Sequence, residues 1–346
     1  MAGTALRRGE IVEVKSAAEI LDTLDERGTL ESLPFMEEML AYCGRRFAVA
    51  GRTEKICDTI QFTRSLRLPD AVLLEDLRCD GSGHDGCQAE CRLYWKEAWL
   101  RRPGEEVRAG PRADDASARA ALLERLRKNV KDPSDAKGGP GARYRCQATE
   151  TLEASEVLRT FDPRPYVREV SSGNVGLVRF TRVMARAAAV ETLRKVNLWP
   201  RIAVRGDASA SPRLEPLGLQ PGDWVQVKSR EEIEGTLNDQ GKNRGLWFDR
   251  EMLPFCGKTF RVRRRIERLI DERTGKMVGL TSDCVTLDGA VCSGEQSFAR
   301  WFCPRAIYPY WREGWLRRVA PPQEASAPGR AAAEGPAHVS GSDAAP

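Results

Sequence analysis

The sequence is poor in histidine, with two among 346 residues. With so few histidines, a Ser–His or Cys–His nucleophile pair and a multi-histidine metal centre are both disfavoured. Four common signatures are also missing: a phosphate-binding glycine loop, a dinucleotide fingerprint, His-Glu-x-x-His and Gly-x-Ser-x-Gly. The sequence thus nominates no catalytic residue and favours a protein that is not an enzyme.

Long apolar runs are absent as well. No stretch approaches the twenty apolar residues that span a bilayer, and the first residues lack the apolar segment of a secretory signal. We therefore expect a cytoplasmic protein with no membrane partner. Ten cysteines in that setting favour reduced thiols or metal ligands over a disulfide framework. The net charge of +5 is too small to demand a nucleic-acid partner.

The main organisational feature is an internal repeat. Residues 9–49 align with residues 222–262 at a fixed offset of 213, without a gap. After three inserted residues, the Trp-rich stretch 94–102 returns as 310–318. The chain therefore carries two copies of one module of about 95 residues, a normal size for a domain.

Each copy opens with an alternating strand and a capping box. Ile11–Lys15 alternates in hydrophobicity, and Ser16 followed by Glu19 predicts the start of a short helix. Several further short strands follow in each copy. This pattern resembles SH3-like barrels in architecture and predicts the α+β class: two small SH3-like β-barrel modules flanking a mainly helical middle domain.

Composition shifts give the expected boundaries. The predicted units are an N-terminal repeat with a metal loop (1–102), a linker with one helix (103–141), a helical middle domain (142–200), a linker (201–221), a C-terminal repeat (222–319) and a disordered tail (320–346). Periodicity and capping predict helices over Asp114–Val130, Thr149–Thr160 and Asn174–Val196.

Candidate metal ligands are concentrated in one loop, Cys79–Cys91. Cys79, His84, Cys87 and Cys91 fall within thirteen residues, and glycines between them tolerate the positive φ of a tight loop. Four such ligands can close on one tetrahedral zinc ion in a structural site. An iron–sulfur cluster on the cysteines is the alternative cofactor, with a distant thiol such as Cys43.

The second copy retains only part of this loop. Cys292 and Cys303 correspond to Cys79 and Cys87, whereas Ser297 and Ile307 are expected near the positions of His84 and Cys91. Two groups of residues are secondary candidates. They are a four-thiol cluster (Cys256, Cys284, Cys292, Cys303) and a basic stripe for an anion or phosphate (Arg179, Arg182, Arg186).

The same residues also have structural interpretations that involve no metal or catalysis. The thiols of the second copy, Cys43 and Cys146 can each be small buried hydrophobes. Glu38 and Glu251, which recur in Glu-Met-Leu, are more typical of hydrogen-bond acceptors or ion-pair partners than of catalytic carboxylates.

Three functional hypotheses follow. The first is a non-catalytic binding or scaffold protein with tandem modules and a structural zinc, most simply with another protein as partner. The second is a metalloenzyme or iron–sulfur redox protein that uses the Cys/His cluster. An open metal position would favour the second over the first. The third is nucleic-acid binding through basic residues, which the sequence supports weakly.

Overall fold

The computed structural model describes residues 5–61, 64–105, 115–132, 141–159, 162–196, 204–206, 212–281, 283–297 and 300–322. Helical and strand residues make up 27% and 26% of the chain, so the mixed α and β class is confirmed. The expected tail lies almost entirely outside the described residues, as do large parts of both expected linkers.

The strands are distributed over the whole described chain. They are β1 (Ile11–Val14), β2 (Thr29–Leu30), β3 (Leu33–Pro34), β4 (Arg46–Arg52), β5 (Ile56–Cys57), β6 (Ser65–Arg67), β7 (Ala71–Arg78), β8 (Arg92–Lys96), β9 (Leu100–Arg101), β10 (Lys131–Asp132), β11 (Arg143–Tyr144), β12 (Glu156–Val157), β13 (Trp224–Val227), β14 (Lys242–Asn243), β15 (Leu246–Trp247), β16 (Thr259–Arg265), β17 (Arg268–Ile270), β18 (Met277–Gly279), β19 (Cys284–Leu287), β20 (Trp311–Arg312) and β21 (Leu316–Arg318).

The α-helices are α1 (Ala17–Leu21), α2 (Asp115–Asn129), α3 (Gln147–Glu150), α4 (Arg164–Ser171), α5 (Leu177–Lys195) and α6 (Arg230–Glu234). Short 3-10 segments cover Glu37–Tyr42, Ser82–His84, Glu97–Trp99, Arg250–Phe255 and Glu313–Trp315.

The two repeats form antiparallel sheets of the same strand order. The first is β8-β7-β4-β1-β9 and the second is β20-β19-β16-β13-β21. Their registers also agree, since Val12 opposes Phe47 and Val225 opposes Phe260. A register shift follows Val49 in one sheet and Val262 in the other, and such bulges bend a sheet. The described strands amount to a half-barrel sheet.

The repeated capping boxes are confirmed. Ser16 Oγ accepts the Glu19 amide at 3.3 Å, and Glu19 Oε2 accepts the Ser16 amide at 3.0 Å. Ser229 and Glu232 repeat this exchange at 3.2 and 2.9 Å. Each box satisfies amides that have no partner within the first helical turn.

An aromatic cluster forms the centre of each repeat. Phe35 packs edge-on against Trp95 and Trp99, with ring centroids 6.1 and 5.2 Å apart. The Trp99 indole donates to Thr23 Oγ1 at 3.0 Å, so its polar group is satisfied although the side chain is buried. The second repeat builds the same cluster from equivalent residues, Phe248, Trp311, Trp315 and Thr236.

The region between the repeats is helical in part. Helices α2 and α5 confirm two predicted helices, although α5 begins at Leu177 rather than at the predicted Asn174. The predicted first residue of α2 lies outside the described residues. The predicted helix Thr149–Thr160 is wrong. Helix α3 ends at Glu150, and β12 pairs with β6 instead. A strand partner from the first repeat, distant in sequence, overrides the local helical pattern here.

The two repeats meet through reciprocal contacts. Each sends a small hairpin strand, β5 or β17, onto the loop of the other copy. The Cys57 amide donates to Cys303 Sγ at 3.2 Å, and the Ile270 amide donates to Cys87 Sγ at 3.4 Å. Cys57 and Ile270 are equivalent in the repeat, as are Cys303 and Cys87, so the contact has approximate two-fold symmetry. This arrangement brings the first loop (79–91) and the second loop (292–307) to the same interface.

Candidate metal centre

Glycine sets the shape of the first loop. Gly81 has φ of +80°, and a Cβ built there would lie 2.0 Å from the carbonyl oxygen of Cys87. Only glycine fits that position. The His84 amide donates to Gly81 O at 3.0 Å, and the Cys79 amide donates to Cys91 O at 2.8 Å. The loop therefore closes on itself and holds His84 on its inner side.

Three candidate ligands converge beneath this loop. Ligand atoms of Glu38, Cys79 and His84 all lie within 4.8 Å of one another. The Cys79 thiol donates to Glu38 Oε1 at 2.8 Å, and His84 Nδ1 is 3.6 Å from the same oxygen. Glu38 comes from the 3-10 segment that follows β3. A thiolate, an imidazole and a carboxylate are all ligands that zinc accepts.

Two polar atoms of this group have no hydrogen-bond partner among the described residues. Glu38 Oε2 and His84 Nδ1 are both buried and unpaired. Leaving a buried polar atom unpaired costs about 1–3 kcal/mol, and such atoms often mark an absent ion or water. The residues present therefore fit a metal ion placed among them.

The Cys79 thiol has a raised pKa. Burial raises it, and the nearby Glu38 carboxylate raises it further. The thiol therefore stays protonated next to the carboxylate when no cation is bound. A divalent cation inverts this local electrostatics, because a coordinating thiol loses its proton.

The other two predicted ligands, Cys87 and Cys91, are not part of this converging group. Cys87 Sγ accepts the Ile270 amide, and its side chain packs with Tyr144 and Ile270. Cys91 lies in surroundings where burial raises its thiol pKa. The structure thus brings together Cys79 and His84 of the predicted set and adds Glu38, which sequence reasoning did not place among the ligands. The available signal was the recurrence of this glutamate in both repeats.

The predicted four-thiol cluster of the second repeat does not assemble among the described residues. Cys284 Sγ accepts Arg312 Nη1 at 3.2 Å within the sheet. Cys303 accepts the amide of Cys57 from the other repeat. Cys256 ends the 3-10 segment Arg250–Phe255, and Cys292 faces a cavity. The four thiols therefore do not form a converging group of ligands among the described residues.

The second loop has the frame of the first but different side chains. The Phe302 amide donates to Gly294 O at 2.8 Å, as Gly86 does to Gly81 at 3.0 Å. The Cys303 amide donates to Arg300 O, as Cys87 does to His84, so Arg300 rather than Ser297 occupies the position of His84. The expected equivalence of Ser297 and His84 is therefore wrong, because the three extra residues precede Arg300.

The carboxylate equivalent to Glu38 is fully occupied in the second repeat. Glu251 accepts from the Ser293 hydroxyl at 2.9 Å and from the Gln296 and Ser297 amides at 2.7 and 3.1 Å. Arg300 pairs with Asp249 at 2.7 Å. Internal hydrogen bonds and an ion pair thus replace the arrangement found in the first repeat.

The predicted basic stripe is partly neutralised. Arg179 Nε lies 2.7 Å from Glu295 Oε1, and Arg182 lies 3.7 Å from the other oxygen of the same carboxylate. Arg186 is exposed on the same helix, α5. One acidic residue of the second loop therefore engages two of the three arginines.

A cavity of about 530 Å³ lies between the repeats and reaches the candidate ligands. Cys79 and His84 form part of its wall, as do Trp247 and Met252 of the second repeat. Six of the ten cysteines line it: Cys57, Cys79, Cys87, Cys91, Cys146 and Cys292. Its size is that of a pocket for a small molecule.

Comparison with known proteins identifies no family for this chain. The chain matches no protein-family model, and neither a curated protein nor a solved structure is significantly similar to it. Within the described residues, every helix is too short or too polar to cross a membrane.

Proposed function

We propose that the chain is a cytoplasmic binding protein, built of two SH3-like modules, that holds one zinc ion on Glu38, Cys79 and His84 at the wall of the cavity between the repeats. The observation that carries this proposal is the pair of buried, unpaired atoms, Glu38 Oε2 and His84 Nδ1, beside the Cys79 thiol. An ion at this point gives both atoms a partner and removes the cost of burying them alone.

Zinc suits this group better than an iron–sulfur cluster. The converging ligands are one sulfur, one nitrogen and one carboxylate, whereas clusters are held by several thiolates. Zinc is a borderline ion that accepts all three ligand types. The single thiol in the group therefore argues against the cluster alternative.

The ligand of the protein is best sought in the cavity. Three protein ligands leave one position on a tetrahedral ion, and Cys79 and His84 both face the cavity. A small molecule with an anionic or sulfur donor can fill the cavity and take the fourth position. A cavity walled by both repeats fits such a ligand better than it fits the protein partner that the sequence predicted.

A metalloenzyme is the second candidate, and the set of three ligands is what favours it. Catalytic zinc sites keep a position for water or substrate, and the ion polarises whatever binds there. The residues of this chain would then bind and orient the substrate in the cavity. Nucleic-acid binding receives less support, because acidic partners engage Arg179 and Arg182.

Elemental analysis of the purified full chain tests the proposal. We expect about one zinc per chain in the wild type, and a marked loss in Glu38→Gln after dialysis against a weak chelator. Glu251→Gln is the matched control, because it removes the same charge from the second repeat and should retain zinc. Equal zinc in the two variants would contradict the proposed site, and iron with visible absorption would support the cluster.

Cobalt substitution shows whether the fourth position on the ion is open or is filled by a fourth protein ligand. A change in the visible spectrum of the cobalt protein on adding azide indicates an open position. A spectrum that azide does not change indicates a site closed by a fourth protein ligand, such as Cys87 or Cys91, and returns the zinc to a structural role.

A further inference from the structure

Two thiols, Cys57 and Cys303, lie where strand β5 of the first repeat contacts the second loop. Strand β5 of the first repeat lies against the second loop, where the Cys57 amide donates to Cys303 Sγ at 3.2 Å. Each of the two thiols also shifts the pKa of the other, as groups in close proximity do. Both cysteines are buried, with 4% and 6% of their surface exposed. The two sulfurs are therefore neighbours, although the residues are far apart in sequence.

Positive charge surrounds this pair. Arg305 is buried, and its Nη1 donates to Cys57 O and to Thr59 Oγ1, each at 3.2 Å. Its Nη2 lies 3.3 Å from Glu272, which balances part of the charge. The hydrogen bond from Cys303 lowers the pKa of Cys57, and Arg305 and Arg300 lower it further against the opposing effect of burial. Burial and the Cys57 sulfur raise the pKa of Cys303.

The charge distribution assigns different roles to the two sulfurs. The pKa of Cys57 is lowered and that of Cys303 is raised, so the thiolate is favoured on Cys57 and the proton on Cys303. Thiolates are the nucleophiles of thiol–disulfide exchange. Cys57 also lines the cavity between the repeats, so a small molecule in the cavity can reach it.

We propose that Cys57 and Cys303 form a redox-active dithiol whose co-substrate is a small organic disulfide bound in the cavity. The Cys57 thiolate attacks one sulfur of the disulfide, forms a mixed disulfide and releases the first thiolate. Cys303 then passes its proton to the released thiolate, and its sulfur attacks the Cys57 sulfur, which forms the Cys57–Cys303 bond and releases the second thiolate. Two electrons pass from the protein to the disulfide, which leaves as one thiol and one thiolate.

The symmetry of the molecule provides an internal control. At the equivalent contact of the first loop, Ile270 takes the place of Cys57 and its amide donates to Cys87 Sγ at 3.4 Å. The backbone arrangement is repeated, but the residue at the position of Cys57 carries no thiol. The dithiol therefore belongs to one side of the interface only and is separate from the proposed zinc ligands.

Peptide mapping of the oxidised protein tests this proposal. The reduced full chain is incubated with 2-hydroxyethyl disulfide, remaining thiols are alkylated under denaturing conditions, and the digest is analysed by mass spectrometry. We expect a cross-linked peptide that joins Cys57 to Cys303, with the other thiols alkylated. Cross-links that mainly involve other cysteines, or no reaction at these two, would overturn the proposal.

Variants assign the order of attack and use the natural control. Cys303→Ser should stop at the mixed disulfide on Cys57, whereas Cys87→Ser should react like the wild type. Ile270→Cys should gain a second cross-link, to Cys87, because it restores the missing thiol at the equivalent contact. An adduct of Cys303→Ser at a cysteine other than Cys57 would contradict the assigned nucleophile. Zinc content is measured alongside, so that failure here is distinguished from failure of the zinc site.

Discussion

The first and second loops share one backbone frame and differ in the chemistry inside it. The Glu251 carboxylate, which packs against the second loop, receives three hydrogen bonds from residues of that loop. The equivalent Glu38, which packs against the first loop, faces a thiol and an imidazole of that loop, and one of its oxygens is unpaired. The same buried carboxylate is therefore satisfied by protein donors in one copy and left for an ion in the other.

This difference shows which features determine the shape of the loop and which determine the candidate metal site. Both loops close by an amide-to-carbonyl bond of 2.8 Å, from Cys79 to Cys91 and from Cys292 to Ile307. The second loop closes in this way although Arg300, which pairs with Asp249, occupies the position of His84. The loop shape thus follows from backbone hydrogen bonds and glycine positions, and the metal adds to it.

The largest expected effect comes from the glycine that shapes the first loop. In Gly81→Ala the new Cβ meets the Cys87 carbonyl, and overpacking costs about 1–3 kcal/mol. The positive φ adds about 1–2 kcal/mol. Gly86→Ala is the matched control, because its φ is also positive but open space surrounds it. Urea unfolding should show a clearly larger loss for Gly81→Ala, and equal losses would contradict the crowded geometry.

Removing the two equivalent carboxylates should have unequal effects on the free energy of unfolding. Glu251→Gln weakens three charge-assisted hydrogen bonds, and each such bond contributes about 1.5–3 kcal/mol to stability. Glu38→Gln in the zinc-free protein should cost little or even stabilise, because it removes a buried charge with an unpaired oxygen. Unfolding in the presence of a chelator measures both. A larger loss for Glu38→Gln would indicate that the carboxylate stabilises the metal-free fold.

Zinc affinity should rise with pH. The raised pKa of Cys79 keeps its thiol protonated without metal, so zinc binding displaces one proton from it. By mass action, affinity then increases about tenfold per pH unit above neutrality. Competition with a chromophoric chelator at several pH values gives the slope. A flat profile would exclude a thiol that deprotonates on binding, and Cys292→Ser should leave the slope unchanged.

The smallest expected effect comes from the N-caps, which have the same geometry in the two repeats. Ser16→Ala and Ser229→Ala each remove an N-cap, which costs about 0.5–2 kcal/mol. Because the cap geometry is the same in both copies, the two losses should agree within about 0.5 kcal/mol. Urea unfolding compares them, and a large difference would show that the repeats do not contribute equally to stability.

Local features could be predicted from the sequence. The capping box at Ser16, helix α5 and the tight glycine turns of the first loop depend on neighbours within a few residues. The strand order of the second sheet follows from the first through the repeat.

Long-range contacts could not be predicted in the same way. Glu38 reaches Cys79 across 41 residues, and Cys57 reaches Cys303 across 246. Nothing local marks these partners, because the hairpin and the 3-10 segment that carry them are placed by packing. The strand at Glu156 likewise forms only because β6 offers it an edge.

X-ray absorption at the zinc edge of the purified protein tests the proposed site most directly. We expect one sulfur at about 2.3 Å, with the remaining shell made of nitrogen and oxygen at about 2.0–2.2 Å. This shell corresponds to Cys79, His84 and Glu38 with one further light ligand. A shell of three sulfurs and one nitrogen would contradict it and establish instead the set Cys79, His84, Cys87 and Cys91.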